Sequence, residues 1–408
     1  MLGAELVTRI VALETLRLEE FANLLWVRVH TDDGLSGLGE TFFGPQAVEA
    51  FIHETAAPIL IGQDAGRIEY LNRKLQQYVG FRGSGAEMRG LSALDIALWD
   101  LWGKRTDQPL WQLMGGRTRD SIRTYNTCAG YRYIRTAKGQ LSENWGVGEP
   151  QGPYEDLDAF MNRADDLAHS LLEDGITAMK IWPFDPAAEA SDGMWLTADQ
   201  MKAGLAPFEK IRNAVGDRIE VMLECHSLWD LPTALMLADR VREYRPYWIE
   251  DPIRMDSLDA IGEFRARCGT RVTASETIAG VWGFRDLIAA KAADVVMLDL
   301  GWVGGVTQAR KAAHLAEAHH LPIAPHDCTG PVVWTASTHL SLSAPNAMLQ
   351  ESVRAFYTGW YKEVATALPS VEKGFVTVPD GPGLGMELLP DLAERPDARN
   401  RRTGEADL

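Results

Sequence analysis

The chain has 408 residues, 46% hydrophobic and 24% charged, the composition of a soluble globular protein of two or three domains. Its formal charge of −17 and pI near 5.0 argue against a nucleic-acid partner, which wants a basic face, and against an anionic membrane surface. Cys128, Cys225, Cys268 and Cys328 lack CxxC spacing, so neither a zinc ribbon nor a disulfide framework is indicated, and without a signal-peptide pattern or a long apolar span a cytoplasmic location is expected.

Residues 1 to about 30 alternate in a β fashion, with Leu25–His30 the clearest strand and Asp32-Asp33-Gly34 a hairpin turn. Apolar residues then recur at three- and four-residue spacing over Ala47–Leu60, Gly66–Val79 and Leu91–Gly103, which predicts helices and an α+β domain without a nucleotide-binding glycine motif. From about Ser121, short apolar strands alternate with amphipathic helices. Strands are predicted at Ile122–Tyr125, Ala178–Trp182, Ile219–Leu223, Tyr247–Ile249, Arg271–Ala274, Val295–Leu298, Pro322–Pro325 and Ala347–Gln350. That repeat has the size of a (β/α)₈ barrel. The expected organisation is an α+β capping domain over residues 1–118, a barrel over 119–354 and a C-terminal segment over 355–408, whose Asp391–Arg402 stretch reads as a solvated polar tail. Tyr131–Tyr154 and Pro183–Leu196 are longer than barrel loops need and are candidate lids over the C-terminal face.

The run Val221-Met-Leu-Glu-Cys-His226 ends one strand with an acid and a histidine, which as residues i and i+2 of a strand would face one space. Glu224, Glu250 and Glu276 each close a strand and follow one another at intervals of 26 residues, one β/α unit apart. Strand-end acids can simply cap the next helix. Three in register would repel one another unless a hard cation neutralised them, which favours Mg²⁺. Asp299 and His326 follow at the next strand ends, 27 residues apart. A carboxylate accepting from one imidazole nitrogen sets the tautomer and raises the basicity of the other, which makes His326 a candidate general base; His314, His319 and His320, in a helical run and its end, are expected to be structural.

These strand-end residues, together with Ser92–Lys104 and Pro109–Gly116, resemble the enolase superfamily, mandelate racemase subgroup, over essentially the whole chain. The resemblance implies proton abstraction beside a substrate carboxylate with Mg²⁺ on Glu224, Glu250 and Glu276, a substrate-carboxylate contact at Glu351, a C-terminal tail that returns to the cap, and a homo-oligomer. Racemases of the subgroup carry Lys-x-Lys after the second strand, where this chain has Lys180-Ile-Trp182, so the second base is lost unless Lys180 serves; Lys180 can instead contact the substrate carboxylate. His226 could protonate a leaving β-hydroxyl. The Glu-x-His pattern, His326–Pro331 and Pro345–Glu351 are similar to the acid-sugar dehydratases of galactonate type. The expected function is Mg²⁺-dependent dehydration of an aldonic, less readily an aldaric, acid to a 2-keto-3-deoxy acid. The alternatives are a racemase, epimerase or cycloisomerase of a sugar acid, and a non-catalytic sugar-acid binding protein. Substrate stereochemistry is expected to be read by the loops around Glu19-Glu20, Phe42–Pro45 and Arg82–Gly85 and by the two long barrel loops.

Overall fold

The computed structural model describes residues 7–76, 83–148 and 152–408. Strands β1 (Ile10–Leu18), β2 (Leu24–Thr31) and β3 (Ser36–Phe42) are buried over most of their length and pair antiparallel. The β2–β3 turn places Gly34 at φ +86°, and Asp33 Oδ1 accepts from Thr31 Oγ1 at 2.7 Å. The helix Ala86–Thr106 lies on β3 so closely that a Cβ at Gly37 or Gly39 would stand 1.9 Å from a helix carbonyl, so only glycine fits there. The helix expected over Ala47–Leu60 runs from Pro45 to Leu60 and widens to a π-helical turn over Phe51–Ala56.

Eight parallel strands follow: β4 (Ile122–Thr127), β5 (Ala178–Ile181), β6 (Glu220–Glu224), β7 (Ile249–Glu250), β8 (Val272–Ala274), β9 (Val295–Leu298), β10 (Ile323–Pro325) and β11 (Gln350–Ser352). From β4 to β10 each pairs with the next, β11 pairs with β4, and β10 meets the chain entering β11 through an Ile323–Ala347 bridge, which closes the ring. The architecture is an N-terminal α+β capping domain with a (β/α)₈-type barrel. The barrel interior is filled by Tyr125, Ala178, Met222, Trp248, Val295, Met297, Ala324 and Leu349, while a larger apolar layer separates strands from helices. The hairpin β12 (Ser370–Glu372) and β13 (Phe375–Thr377) adds to the far edge of β4. The chain then returns to the cap. Residues expected in a solvated tail form β14 (Ala398–Gly404), which pairs along β1 from Leu18 to Ala12; β1 offers an open edge whose backbone groups need partners. Among the described residues no helix is long and apolar enough to cross a membrane, and all four cysteines are free and buried.

The segment Ser92–Lys104 docks the cap on the barrel. Ser92 Oγ accepts from Gly304 N at 2.9 Å, Asp95 Oδ1 accepts from Thr307 N at 2.9 Å, and Trp99 Nε1 donates to Thr307 Oγ1 at 2.9 Å. Asp95 thus satisfies the open N-terminus of the helix Gly305–Ala318, just beyond Asp299. Glu40, at the end of β3, accepts from Val333 N at 3.0 Å at the start of the helix Pro331–Ser343, and burial pushes its carboxyl up to about 8.

His339 ties three segments. Its Nδ1 accepts from Trp111 N and its Nε2 donates to Leu384 O, both at 3.2 Å, which requires the neutral ring. Burial, aided by Arg117, holds its pKa down at about 4. A folded pKa below the unfolded value gives stability that is complete above about pH 6.5 and is lost as pH falls toward 4. The wild-type chain should therefore lose about 2 kcal/mol more than His339→Gln between pH 7 and 5, measured by urea unfolding; parallel pH profiles would refute this account.

Candidate active site

The inward apolar residues set the direction of the site. Side chains two residues apart on a strand face the same way. Each of Tyr125, Ala178, Met222, Trp248, Met297, Ala324 and Leu349 is therefore followed, one step toward the C-terminal end, by an inward polar group: Thr127, Lys180, Glu224, Glu250, Asp299, His326 and Glu351. These form the uppermost layer of the barrel interior, and all are under 9% exposed.

Lys180 stands at the centre of this layer. Its Nζ lies 2.9 Å from Glu351 Oε1, 3.3 Å from Glu224 Oε2 and in contact with Glu250 Oε1. Burial opposes the ammonium, but Glu250 and Glu351 hold it well above the usual lysine range. Burial also opposes the Glu224 carboxylate, which His226 and Lys180 nevertheless hold below the usual range, while burial and the Glu224 charge push Glu250 up. Trp248 Nε1 donates to Glu250 Oε2 at 2.8 Å, and Glu351 Oε2 accepts from Asp327 N at 2.9 Å. Glu276 lies two residues past β8, and its Oε2 is buried without a hydrogen-bond partner. Among the described residues no three His, Cys, Asp or Glu side chains are grouped as a preformed metal cluster.

Two Asp–His pairs open on the same cavity. His326 Nδ1 lies 2.7 Å from Asp299 Oδ2, the pairing expected from the spacing. His226 Nδ1 lies 2.6 Å from Asp185 Oδ2, a pairing the sequence did not disclose. Burial opposes both imidazolium ions. Asp185 and Glu224 still hold His226 up at about 9, and Glu351, Asp299 and Glu276 do the same for His326. His226 does not share a strand with Glu224. β6 ends at Glu224, whose Oε1 accepts from Cys225 N and His226 N, and His226 sits at φ +45° in the turn that follows. The turn, not strand parity, brings its ring to the cavity.

The cavity measures about 390 Å³ with its mouth included and is lined by Lys180, Glu276, His226 and His326 on the polar side. Trp182 and Trp302 flank the imidazoles at centroid distances of 5.8 and 5.4 Å, and Phe42 and Phe43 reach in from the cap. Of the expected lids, Tyr131–Tyr154 supplies Tyr133, Ile134 and Gln140 to the wall and is tied to the cap by Asn23, whose Nδ2 donates to Ile134 O at 2.8 Å. Pro183–Leu196 folds into the helix Asp185–Ser191 and delivers Asp185. Glu19 and Glu20 bond Arg399, Arg135 and Arg395 and do not line the cavity. Arg82 lies outside the described residues; Gly83 and Ser84 line a separate open groove beside Thr277 and Ile278.

Known proteins share this architecture. Residues 163–392 match a family model described as enolase C-terminal domain-like, and residues 10–115 match the mandelate racemase / muconate lactonizing enzyme N-terminal domain. The chain belongs to the enolase superfamily, in its mandelate racemase subgroup. It is 52% identical to an enolase of that subgroup from Agrobacterium tumefaciens, with a TM-score of 0.87 over 98% of this chain and 100% of the other. Among curated relatives it is 28% identical over 372 residues to the D-xylonate dehydratase of Haloferax volcanii, covering 90% of this chain and 84% of that protein. It is 28% identical over 392 residues to the D-galactonate dehydratase of Ralstonia pickettii, covering 92% and 93%.

In this member of the superfamily one ammonium, that of Lys180, meets three of the layer's carboxylates. Removing a single partner of a buried ionic group leaves the others uncompensated. Lys180→Met is expected to lower unfolding stability in chelator by on the order of 3 kcal/mol, read from denaturant midpoints; an unchanged midpoint would show that the carboxylates do not rely on Lys180.

Proposed function

We propose that this protein is a hydro-lyase that dehydrates an acid sugar, an aldonic acid in preference to an aldaric acid, to its 2-keto-3-deoxy acid. The observation that carries the reading is the pair of Asp–His units opening on one cavity beside a carboxylate layer, in a chain whose curated relatives include dehydratases of D-xylonate and D-galactonate.

The donor set suits Mg²⁺. Glu224 and Glu250 are register partners on adjacent strands, Glu276 follows on the next with an unpartnered buried oxygen, and hard carboxylate oxygens are what this ion takes. These three would hold it. Bound there, Mg²⁺ supplies positive charge that stabilises the developing oxyanion of the substrate carboxylate and offsets the acids that raise the His326 pKa.

The chain's own residues then divide the work. Lys180 receives the substrate carboxylate at the bottom of the cavity, and Glu351 holds the ammonium in place from below. His326, its Nδ1 held by Asp299, takes the C2 proton on Nε2. The C2–H pair becomes the C2–C3 double bond as the C3–O bond breaks, and His226 gives its Nε2 proton to the departing hydroxyl, which leaves as water. The enol ketonises to the product. Trp182, where racemases of the subgroup carry a second lysine, cannot take a proton, which favours this one-base course over inversion at C2.

A panel of five- and six-carbon acid sugars with Mg²⁺ should yield a carbonyl compound trapped by semicarbazide. His326→Asn and His226→Asn should each lower its formation by roughly 10²–10⁴-fold. An active enzyme that returned only epimerised acid would contradict the proposal.

A further inference from the structure

We infer that Asp185 is the positioning residue for His226, and that it governs elimination separately from proton abstraction. The inference rests on the dehydratase reading above.

The His226 ring lacks the support that Lys180, Glu224 and Glu250 have. These three project from strands locked on both sides, whereas His226 follows the end of β6 at φ +45°. Its backbone is fixed by Glu224, which leaves the ring direction to whatever engages its nitrogens. Asp185 does so. Its Oδ2 lies 2.6 Å from Nδ1, and the edge of Trp182 meets the ring at 5.8 Å and 74°. Both residues come from the segment after β5, so the long second loop reaches across to clamp a residue of the neighbouring strand end. With Nδ1 engaged and the ring lining the cavity, Nε2 is the nitrogen left for substrate.

The arrangement is poor as a stabilising device. Asp185 is 4% exposed, and its second oxygen is buried without a hydrogen-bond partner. A buried carboxylate with an unmet acceptor costs free energy and persists where position matters. The unit also repeats the build of Asp299 with His326, at 2.6 against 2.7 Å. One unit orients the group that takes the C2 proton, and the other orients the group that protonates the leaving hydroxyl. A carboxylate only accepts, so Asp185 obliges Nδ1 to keep the proton it donates and makes the proton on Nε2 the one free to leave the ring; asparagine, which can donate as well as accept, can still bond the ring but no longer fixes that division.

The test runs the wild type, Asp185→Asn, Asp185→Glu and His226→Asn in deuterium oxide with Mg²⁺ and the best aldonic acid of the panel. It reads keto acid formed and deuterium at C2 of recovered acid. In Asp185→Asn, keto acid should fall by roughly 10²–10³-fold while exchange at C2 stays within about tenfold, so the exchange-to-elimination ratio rises at least about tenfold. His226→Asn should show the same rise, the combined Asp185→Asn, His226→Asn variant no further rise, and Asp185→Glu partial recovery. The 3-deoxy-3-fluoro analogue, whose leaving group needs no proton, should lose fluoride at similar rates in wild type and Asp185→Asn. An unchanged ratio, or equal loss of exchange and elimination, would overturn the inference while leaving the dehydratase reading intact. A wild type that forms no keto acid from any acid in the panel would overturn both.

Discussion

Buried carboxylates gathered at one end of a closed parallel barrel repel one another, and cationic charge has to hold them there. In this protein Lys180 meets Glu224, Glu250 and Glu351 in a layer with almost no access to water. The two imidazoles stand at the edges of that layer, where, against the effect of burial, Asp185 and Glu224 hold one and Glu351, Asp299 and Glu276 the other above the usual histidine range. Such a layer is costly as architecture and useful as a site. It concentrates negative field beside the cavity and favours cationic charge there.

The cap completes the site through the same economy of polar groups. Asp95 and Glu40 each meet the start of a barrel helix, and burial raises both acids, to about 7 and about 8. Asp100 accepts from Leu38 N and Leu384 N, which joins the cap sheet to the returning C-terminal segment. Docked in this way, the end of β3 carries Phe42 and Phe43 to the cavity mouth, with Arg89 lying over the Trp302 ring at 4.4 Å. The motif Ser92–Lys104 therefore acts on the chemistry only by fixing where the cap sits.

Much of this was legible in the sequence because barrel geometry is periodic. One β/α unit of spacing placed Glu224, Glu250, Asp299 and His326 in a single layer, and the apolar residue two positions before each is what turns it inward. Where the chain leaves the periodic frame, the reading stopped. His226 reaches the cavity through a left-handed turn rather than by strand parity, and Asp185 opens a short helix within the β5–β6 connection, where Pro-Phe-Asp-Pro carries no spacing rule. The polar end read as a tail because β14 is charged on nearly every exposed position; its burial partner is the backbone edge of β1, which composition does not reveal.

The central claim is that His326 and His226 serve adjacent carbons of one substrate from fixed places. A crystal structure of His326→Asn with Mg²⁺ and an aldonic acid substrate tests it most directly. The account predicts the C2–H bond aimed at residue 326 and the C3 hydroxyl within about 3 Å of His226 Nε2. A C3 hydroxyl turned toward Trp302 and Phe43, away from His226, would contradict it.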